Sequence, residues 1–267
     1  MRKFRETGVV ENVKIARDIY RLKLKIPDIV NSVEPGQFLN IYFQDSPKIF
    51  PRPFSIAGVD DNNILIIYKV VGSQTEKMSY WQKGFKIKVL APLGNSFELD
   101  SENNVSYVLI AGGVGVAPLM FLRDRLFLMG ITPYFFVGAK NGNELPIAED
   151  TKSKLYLSTD DGSLGFTGNV VEHFKSMLGS IPKPVSVYAC GPDQMNKAMA
   201  KLGIEQEMKL QVSLERVMAC GLGICQGCAV KIKSATSDCH YSLVCKDGPV
   251  FKGEEIILTA DAPKGSL

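Results

Sequence analysis

The sequence predicts a multi-domain β plus α/β protein: an antiparallel β-barrel over residues 1–100, an α/β domain with a parallel sheet over 101–212, and a small cysteine-rich module over 213–267. Three observations carry this division. Residues alternate with period two through the first segment; strand-like and helix-like stretches alternate from about residue 105; glycine and cysteine concentrate after residue 213.

In the first segment Tyr20, Leu22, Leu24 and Ile26 alternate with Arg21, Lys23 and Lys25, and Phe85, Ile87 and Val89 alternate with Lys86 and Lys88. Both runs read as strands with a charged outer face. Runs at 38–43 and 64–71 add further strands, and Pro35-Gly36, Asp60–Asn63 and Pro92–Asn95 supply turns. Short strands at this spacing predict a small antiparallel barrel.

The second segment opens with Tyr107–Ala111, a short apolar strand, followed by Gly112–Pro118 and a helical stretch to about Met129. Strands are predicted at 133–138, 154–158, 185–190 and 208–213, with helices at 168–178 and 192–202. Such alternation gives a parallel sheet with crossover helices. Gly112, Gly113 and Gly115 stand between strand and helix, where a pyrophosphate can approach backbone N–H groups. Alone this cluster is also what a tight turn looks like, and it departs from the G-x-G-x-x-G pattern. Cys190-Gly191-Pro192 ends another apolar strand at the edge where open α/β sheets bind ligands, and Thr159–Ser163 would line the same edge. Cys190 by itself reads equally as a small buried apolar residue.

Five of the six cysteines fall between residues 220 and 245. Cys220, Cys225 and Cys228 form Cys-x4-Cys-x2-Cys, the spacing of a plant-type 2Fe–2S site with a distant fourth ligand. Gly221, Gly223 and Gly227 let the loop wrap closely. Zinc is the alternative, but it more often uses two Cys-x2-Cys pairs, and one is present. The fourth ligand is Cys239 or Cys245. Cys245 ends the apolar run Tyr241–Val244 and precedes a Lys246–Pro249 turn, whereas Cys239 follows the polar stretch Lys233–Asp238, which reads as a mobile hairpin tip.

Composition excludes several classes. Net charge is only +3, without a basic run, so nucleic-acid binding has no support. No apolar stretch approaches the roughly 18–20 residues that cross a bilayer, and the charged N-terminus lacks a signal-peptide core; a cytoplasmic location is expected. With only two histidines, His173 and His240, histidine catalysis is disfavoured; His173, beside Phe174 in a helical pattern, reads as structural. In the barrel, Arg52 is singly no more than a surface charge, but beside Ser55 on a strand edge it can pair a phosphate, and Gly72–Thr75 can add a second phosphate contact.

As an ordered set these elements resemble the ferredoxin–NADP reductase superfamily over essentially the whole chain: Arg52-Pro53-Phe54-Ser55, Pro92-Leu93-Gly94-Asn95, Gly112–Pro118 and Cys190–Asp193. With Ser213–Cys225 and Cys245–Phe251, the chain is similar to the electron-transfer subunits of dihydroorotate dehydrogenase B. The resemblance implies an FAD-binding barrel, an NAD-binding α/β domain and a 2Fe–2S module, passing electrons from the FMN of a catalytic dihydroorotate dehydrogenase subunit to NAD, with two copies of each chain. It implies Arg52 on the flavin pyrophosphate and Ser55 near the ring, with Pro53 and Phe54 between them. Ile67, Tyr68, Lys69, Gln74 and Thr75 would cover ribityl and phosphate; Gln74 stands where family members usually carry a second glycine. Gly112, Gly113, Gly115, Cys190, Gly191 and Pro192 would receive the nicotinamide nucleotide, and Cys220, Cys225, Cys228 and Cys245 the cluster. The absence of arginine from Thr159–Asp161 favours NAD over NADP, while Lys140 leaves the choice open. No side chain is required as nucleophile or general acid. Two alternatives remain: the flavin/iron–sulfur subunit of an NAD(P)H–ferredoxin oxidoreductase, sulfhydrogenase or sulfite reductase, and a non-redox zinc-binding regulatory protein. Met218-Ala-Cys220 favours the dihydroorotate branch, because the transhydrogenase relatives tend to place aspartate at the first ligand position.

Overall fold

The computed structural model describes residues 3–43, 49–100, 102, 104–233 and 239–257. The alternating N-terminus forms β1 (Lys3–Ala16), whose first half pairs with β6 (Lys86–Leu93) and whose second half, through two register shifts, pairs with β2 (Ile19–Lys25). β3 (Phe38–Tyr42), β4 (Arg52–Asp60) and β5 (Asn63–Lys69) complete a closed barrel in the order β1-β2-β5-β4-β3-β6. Closure removes the exposed sheet edge that a six-stranded antiparallel sheet would otherwise present. Leu22, Leu24, Leu39, Ile41, Ile56, Ile64, Ile66 and Val89 fill the interior. Sequence alternation did not reveal α1 (Ser73–Ser79), a short helix between β5 and β6. It is held by local capping: the Thr75 hydroxyl accepts from the Val71 and Gly72 amides at 3.0 and 3.2 Å.

The second segment folds as β7 (Ser106–Gly112), α2 (Val116–Leu128), β8 (Tyr134–Ala139), β9 (Lys154–Thr159), β10 (Phe166–Thr167), α3 (Val170–Met177), β11 (Val185–Cys190), α4 (Asp193–Glu205) and β12 (Lys209–Ser213). Strand order is β10-β9-β8-β7-β11-β12, all parallel. The central strands are apolar along their length because helices cover both faces. α2 lies between sheet and barrel, so it is apolar on most sides; its Phe121 belongs to the barrel core, while Leu119, Leu122 and Leu126 belong to the sheet. Emptying the Phe121 site should cost about 3–5 kcal/mol and loosen this junction.

The third segment forms a two-stranded ribbon, β13 (Ala229–Ile232) with β14 (His240–Leu243), and then β15 (Val250–Lys252). β15 pairs antiparallel with β12 and extends the parallel sheet to seven strands. The third segment thus shares a sheet and a core with the other two. Its Leu214, Met218, Cys228, Val244 and Cys245 share one core with Phe38, Leu90 and Leu93 of the barrel and Val187, Ala189 and Val212 of the sheet. Residues 234–238 of the predicted hairpin tip lie outside the described residues. Among the described residues no helix is long and apolar enough to cross a membrane.

Candidate functional site

Pairing of β3 with β4 sets Phe38 opposite Ser55 and Asn40 opposite Pro53. Beside this strand pair lies a cleft of about 360 Å³, lined by Arg52, Pro53, Phe54 and Ser55 of β4, Ile67, Tyr68 and Lys69 of β5, and Gln74 and Thr75 of α1. All nine barrel residues that the sequence nominated thus meet at one place. Their environments differ. The half-buried Arg52 guanidinium reaches only the Pro51 carbonyl, at 3.5 Å, and no carboxylate pairs with it among the described residues. Burial lowers its pKa, but an arginine still carries its charge, so it is available to an anion. Tyr68 stacks on Tyr20 at 5.5 Å, meets Phe54 edge-on, and donates its hydroxyl to Asn12 Oδ1 at 3.2 Å. Burial pushes its pKa well up, so it stays a neutral aromatic wall. Thr75 faces the cleft, yet its hydroxyl is engaged in the α1 cap and also donates to the Gly72 carbonyl. Flat aromatic walls beside an unpaired guanidinium suit a planar ring joined to phosphate.

A second cleft, of about 700 Å³, opens at the carboxyl ends of β7 and β11. Here the chain crosses from one side of the sheet to the other, the switch point at which open α/β sheets bind ligands. Gly112, Gly113, Gly115, Gly191 and Pro192 line it, together with Lys140, Asp160 and Asn169. Not every glycine serves the ligand side. A Cβ on Gly115 would run into the Cys190 carbonyl, and one on Gly112 would come within 2.8 Å of Pro192 and Met195. Those two glycines let the two loops pack on each other. Gly113, at φ +55° with open space before it, is the one whose backbone freedom faces the cleft. The Cys190 side chain does not reach the cleft. It is buried in the sheet core, and burial, then Glu215, pushes its thiol far up.

The clefts adjoin: Lys69, Val114 and Glu215 line both. Lys69 Nζ sits 2.7 Å from Glu144 Oε2, so the charge expected to cover a phosphate is shared across the junction of barrel and α/β domain. Glu215 received no role from the sequence, where it is one letter in Ser213–Met218. It is open to the cleft but enclosed by protein on the other sides, and this desolvation, then Asp193, raises its carboxyl pKa. Nothing local marks it; its position follows from how β12 exits the sheet. His173 has no such place: its Nδ1 is 2.9 Å from Ser158 Oγ and its ring stacks on Phe166.

Beside the first cleft, the cysteines converge. The Leu222 amide approaches Cys220 Sγ at 3.3 Å and the Gly223 amide approaches Cys245 Sγ at 3.1 Å, so two consecutive N–H groups grip the first and last cysteines. The Cys245 amide lies 3.5 Å from Cys228 Sγ, and the Cys225 amide 3.5 Å from Cys220 Sγ. Gly221 and Gly223, at φ +68° and +83°, make the wrap possible. Burial raises the Cys220 thiol, but the amides of Cys225, Leu222 and Ile224 outweigh it and bring the pKa down to about 6. Burial, then the Cys228 thiol, pushes Cys245 up to about 12. Four thiols with amides aimed at sulfur fit an iron–sulfur cluster, whose binding displaces the protons. Cys239 lies at the other end of β14 from this group.

The family model for the iron–sulfur cluster binding domain of dihydroorotate dehydrogenase B matches residues 215–257, the span that holds all four cysteines. The electron transfer subunit of dihydroorotate dehydrogenase B (NAD(+)) of Clostridium acetobutylicum is 34% identical over 96% of this chain and 98% of its own length. That of Caldanaerobacter subterraneus subsp. tengcongensis is 32% identical over 93% and 96%. Among solved structures, an NADH-dependent reduced ferredoxin-NADP oxidoreductase, described for flavin-based electron bifurcation, superposes with TM-score 0.83 at 29% identity, covering 94% of this chain and 90% of that one. With its barrel, switch-point cleft and cysteine loop in this arrangement, the chain belongs to the family of dihydroorotate dehydrogenase B electron transfer subunits.

Proposed function

We propose that this chain is a flavin and iron–sulfur relay that takes electrons from a separate FMN-containing dihydroorotate dehydrogenase subunit and delivers them to NAD+. The observation that carries the reading is the contact between clefts: a ring held against β4 and a nicotinamide at the switch point would meet at Lys69, Val114 and Glu215. Bound FAD supplies the exchange between hydride pairs and single electrons. The chain's own residues bind and orient. Arg52 pairs the pyrophosphate, Ser55 and Phe54 border the ring, and Tyr68 closes the wall. The Gly113 backbone and the Gly191–Pro192 turn shape the nucleotide cleft, and Asp160, with no arginine nearby in its segment, favours an unphosphorylated ribose. Cys220, Cys225, Cys228 and Cys245 hold the 2Fe–2S cluster. We place the assembly in the cytoplasm with two copies of each subunit.

The test is the visible spectrum and metal content of the purified chain, followed by turnover assays. The expected result is one FAD, two irons, and NADH oxidation with ferricyanide. Dihydroorotate should be oxidised only after addition of the FMN subunit, because the two adjoining clefts of this chain are the ones the flavin and the nicotinamide nucleotide fill. A colourless zinc protein, or dihydroorotate turnover by this chain alone, overturns the reading.

A further inference from the structure

We propose that Asn40 is a positioning residue for the cluster, transmitting the geometry of the β3–β4 strand pair into the Cys220–Gly221 loop. The inference rests on the reading that the barrel holds flavin and the four cysteines hold the cluster.

Asn40 is completely buried on β3, directly opposite Pro53, one of the residues that wall the barrel cleft. Phe38 and Asn40 are two residues apart on one strand, so their side chains share a face. Phe38 lies in the core shared with Leu214, Met218 and Cys245, which shows that this is the face on which the cysteine module packs. There the Asn40 amide nitrogen donates to the Cys220 carbonyl at 3.4 Å. It also lies where the Cβ of any residue other than glycine would stand at position 221, and Gly221 itself is at φ +68°. The fit between amide and loop is therefore steric as well as polar. Tyr42, next along the same face, lies close to both Asn40 and the Cys220 thiol.

A buried amide is costly unless it is used. Asn40 Oδ1 has no hydrogen-bond partner among the described residues, so the side chain is not there to complete a polar network of its own. An apolar residue would pack at this site with less penalty. What it would lack is the donor that reaches Cys220. A second barrel asparagine holds the other end of the module: Asn95 Nδ2 donates to the Asp247 and Val250 carbonyls at 3.1 and 2.8 Å, and its Oδ1 accepts from the Val250 amide at 2.9 Å. Those bonds lie beyond Cys245 and anchor the chain. Of the two asparagines it is Asn40 that touches a ligand residue, and groups that orient a ligand tune the electronic properties of the metal it binds.

The experiment compares the holoprotein with Asn40→Ser, Asn40→Asp and Tyr42→Phe, reading iron and flavin content, the electron paramagnetic resonance g-values of the reduced cluster, and its midpoint potential. Asn40→Ser should shift both g-values and potential with flavin content unchanged. Asn40→Asp, which keeps the shape but removes the amide donor, should also shift both, and Tyr42→Phe should give a smaller shift. Wild-type g-values and potential in both Asn40→Ser and Tyr42→Phe overturn the proposal. So does joint loss of iron and flavin in Asn40→Ser with an unchanged Tyr42→Phe, which marks a folding role. Wild-type protein lacking iron or flavin would instead overturn the underlying reading, before any variant is compared.

Discussion

Lys69 Nζ lies 2.7 Å from Glu144 Oε2, joining the end of β5 to the turn after β8 where the two clefts meet. The Glu144 carboxyl is held below its ordinary pKa, first by the hydrogen bond from Lys69. A group with a lowered folded-state pKa contributes stability above its unfolded value and loses it as pH falls through the folded one. The Lys69–Glu144 contribution should therefore be present at neutral pH and disappear in acid. Because both side chains are partly exposed, the pair is worth only about 0.2–1 kcal/mol. Glu144→Gln should lower the melting temperature slightly at pH 7 and not at all below the carboxylate range. An equal loss at both pH values would show that Glu144 acts by packing.

Arg52 is the cation in the barrel cleft that no carboxylate pairs with among the described residues. Arg52→Ala should remove a charge-assisted contact of about 1.5–3 kcal/mol, weakening FAD binding roughly 10- to 100-fold. Flavin occupancy after dialysis measures this. Full retention would remove Arg52 from the pyrophosphate role.

The Gly223 amide on Cys245 Sγ and the Cys245 amide near Cys228 Sγ favour Cys245 over Cys239 as the fourth ligand. Cys245→Ser should abolish or severely destabilise the cluster, while Cys239→Ser keeps iron content and visible absorbance. The reverse pattern would mean that the loop closes on the other cysteine.

In chelator-treated protein the lowered Cys220 thiol should be the faster target for iodoacetamide at pH 7 than Cys245, because with a pKa of about 6 it is mainly thiolate there. Its reactivity should fall as pH drops through about 6. Peptide mapping after brief labelling reads this directly; faster labelling of Cys245 would show that the amides at Leu222 and Ile224 do not hold the thiolate.

Glu215 lines both clefts with a carboxyl raised above the ordinary range by desolvation. Glu215→Gln should leave flavin content intact and slow flavin reduction by NADH about 10-fold or more, within the range that positioned acid–base groups contribute. Stopped-flow reduction at saturating NADH separates this from weaker binding. An unchanged rate would make the carboxylate a bystander.

The sequence alone determined the three textures and the cysteine spacing, because alternation, strand–helix periodicity and ligand spacing are local properties of a chain. The nine barrel residues, from Arg52 to Thr75, were named from ordered motifs, and the barrel brings them to one cleft. Tertiary structure alone decided the rest. Whether Cys190 faces the ligand or the core depends on β11 being an interior strand, and it faces the core. The glycines at 112 and 115 serve loop packing, which only the approach of residues some 75 positions away reveals. β15 of the cysteine module joins the sheet of the second segment, since β12 would otherwise expose an unpaired edge. Asn40, Glu144 and Glu215 carry no motif; each acquires its place from elements that meet only after the barrel, the sheet and the cysteine loop share one core, and such meetings leave no period in the sequence.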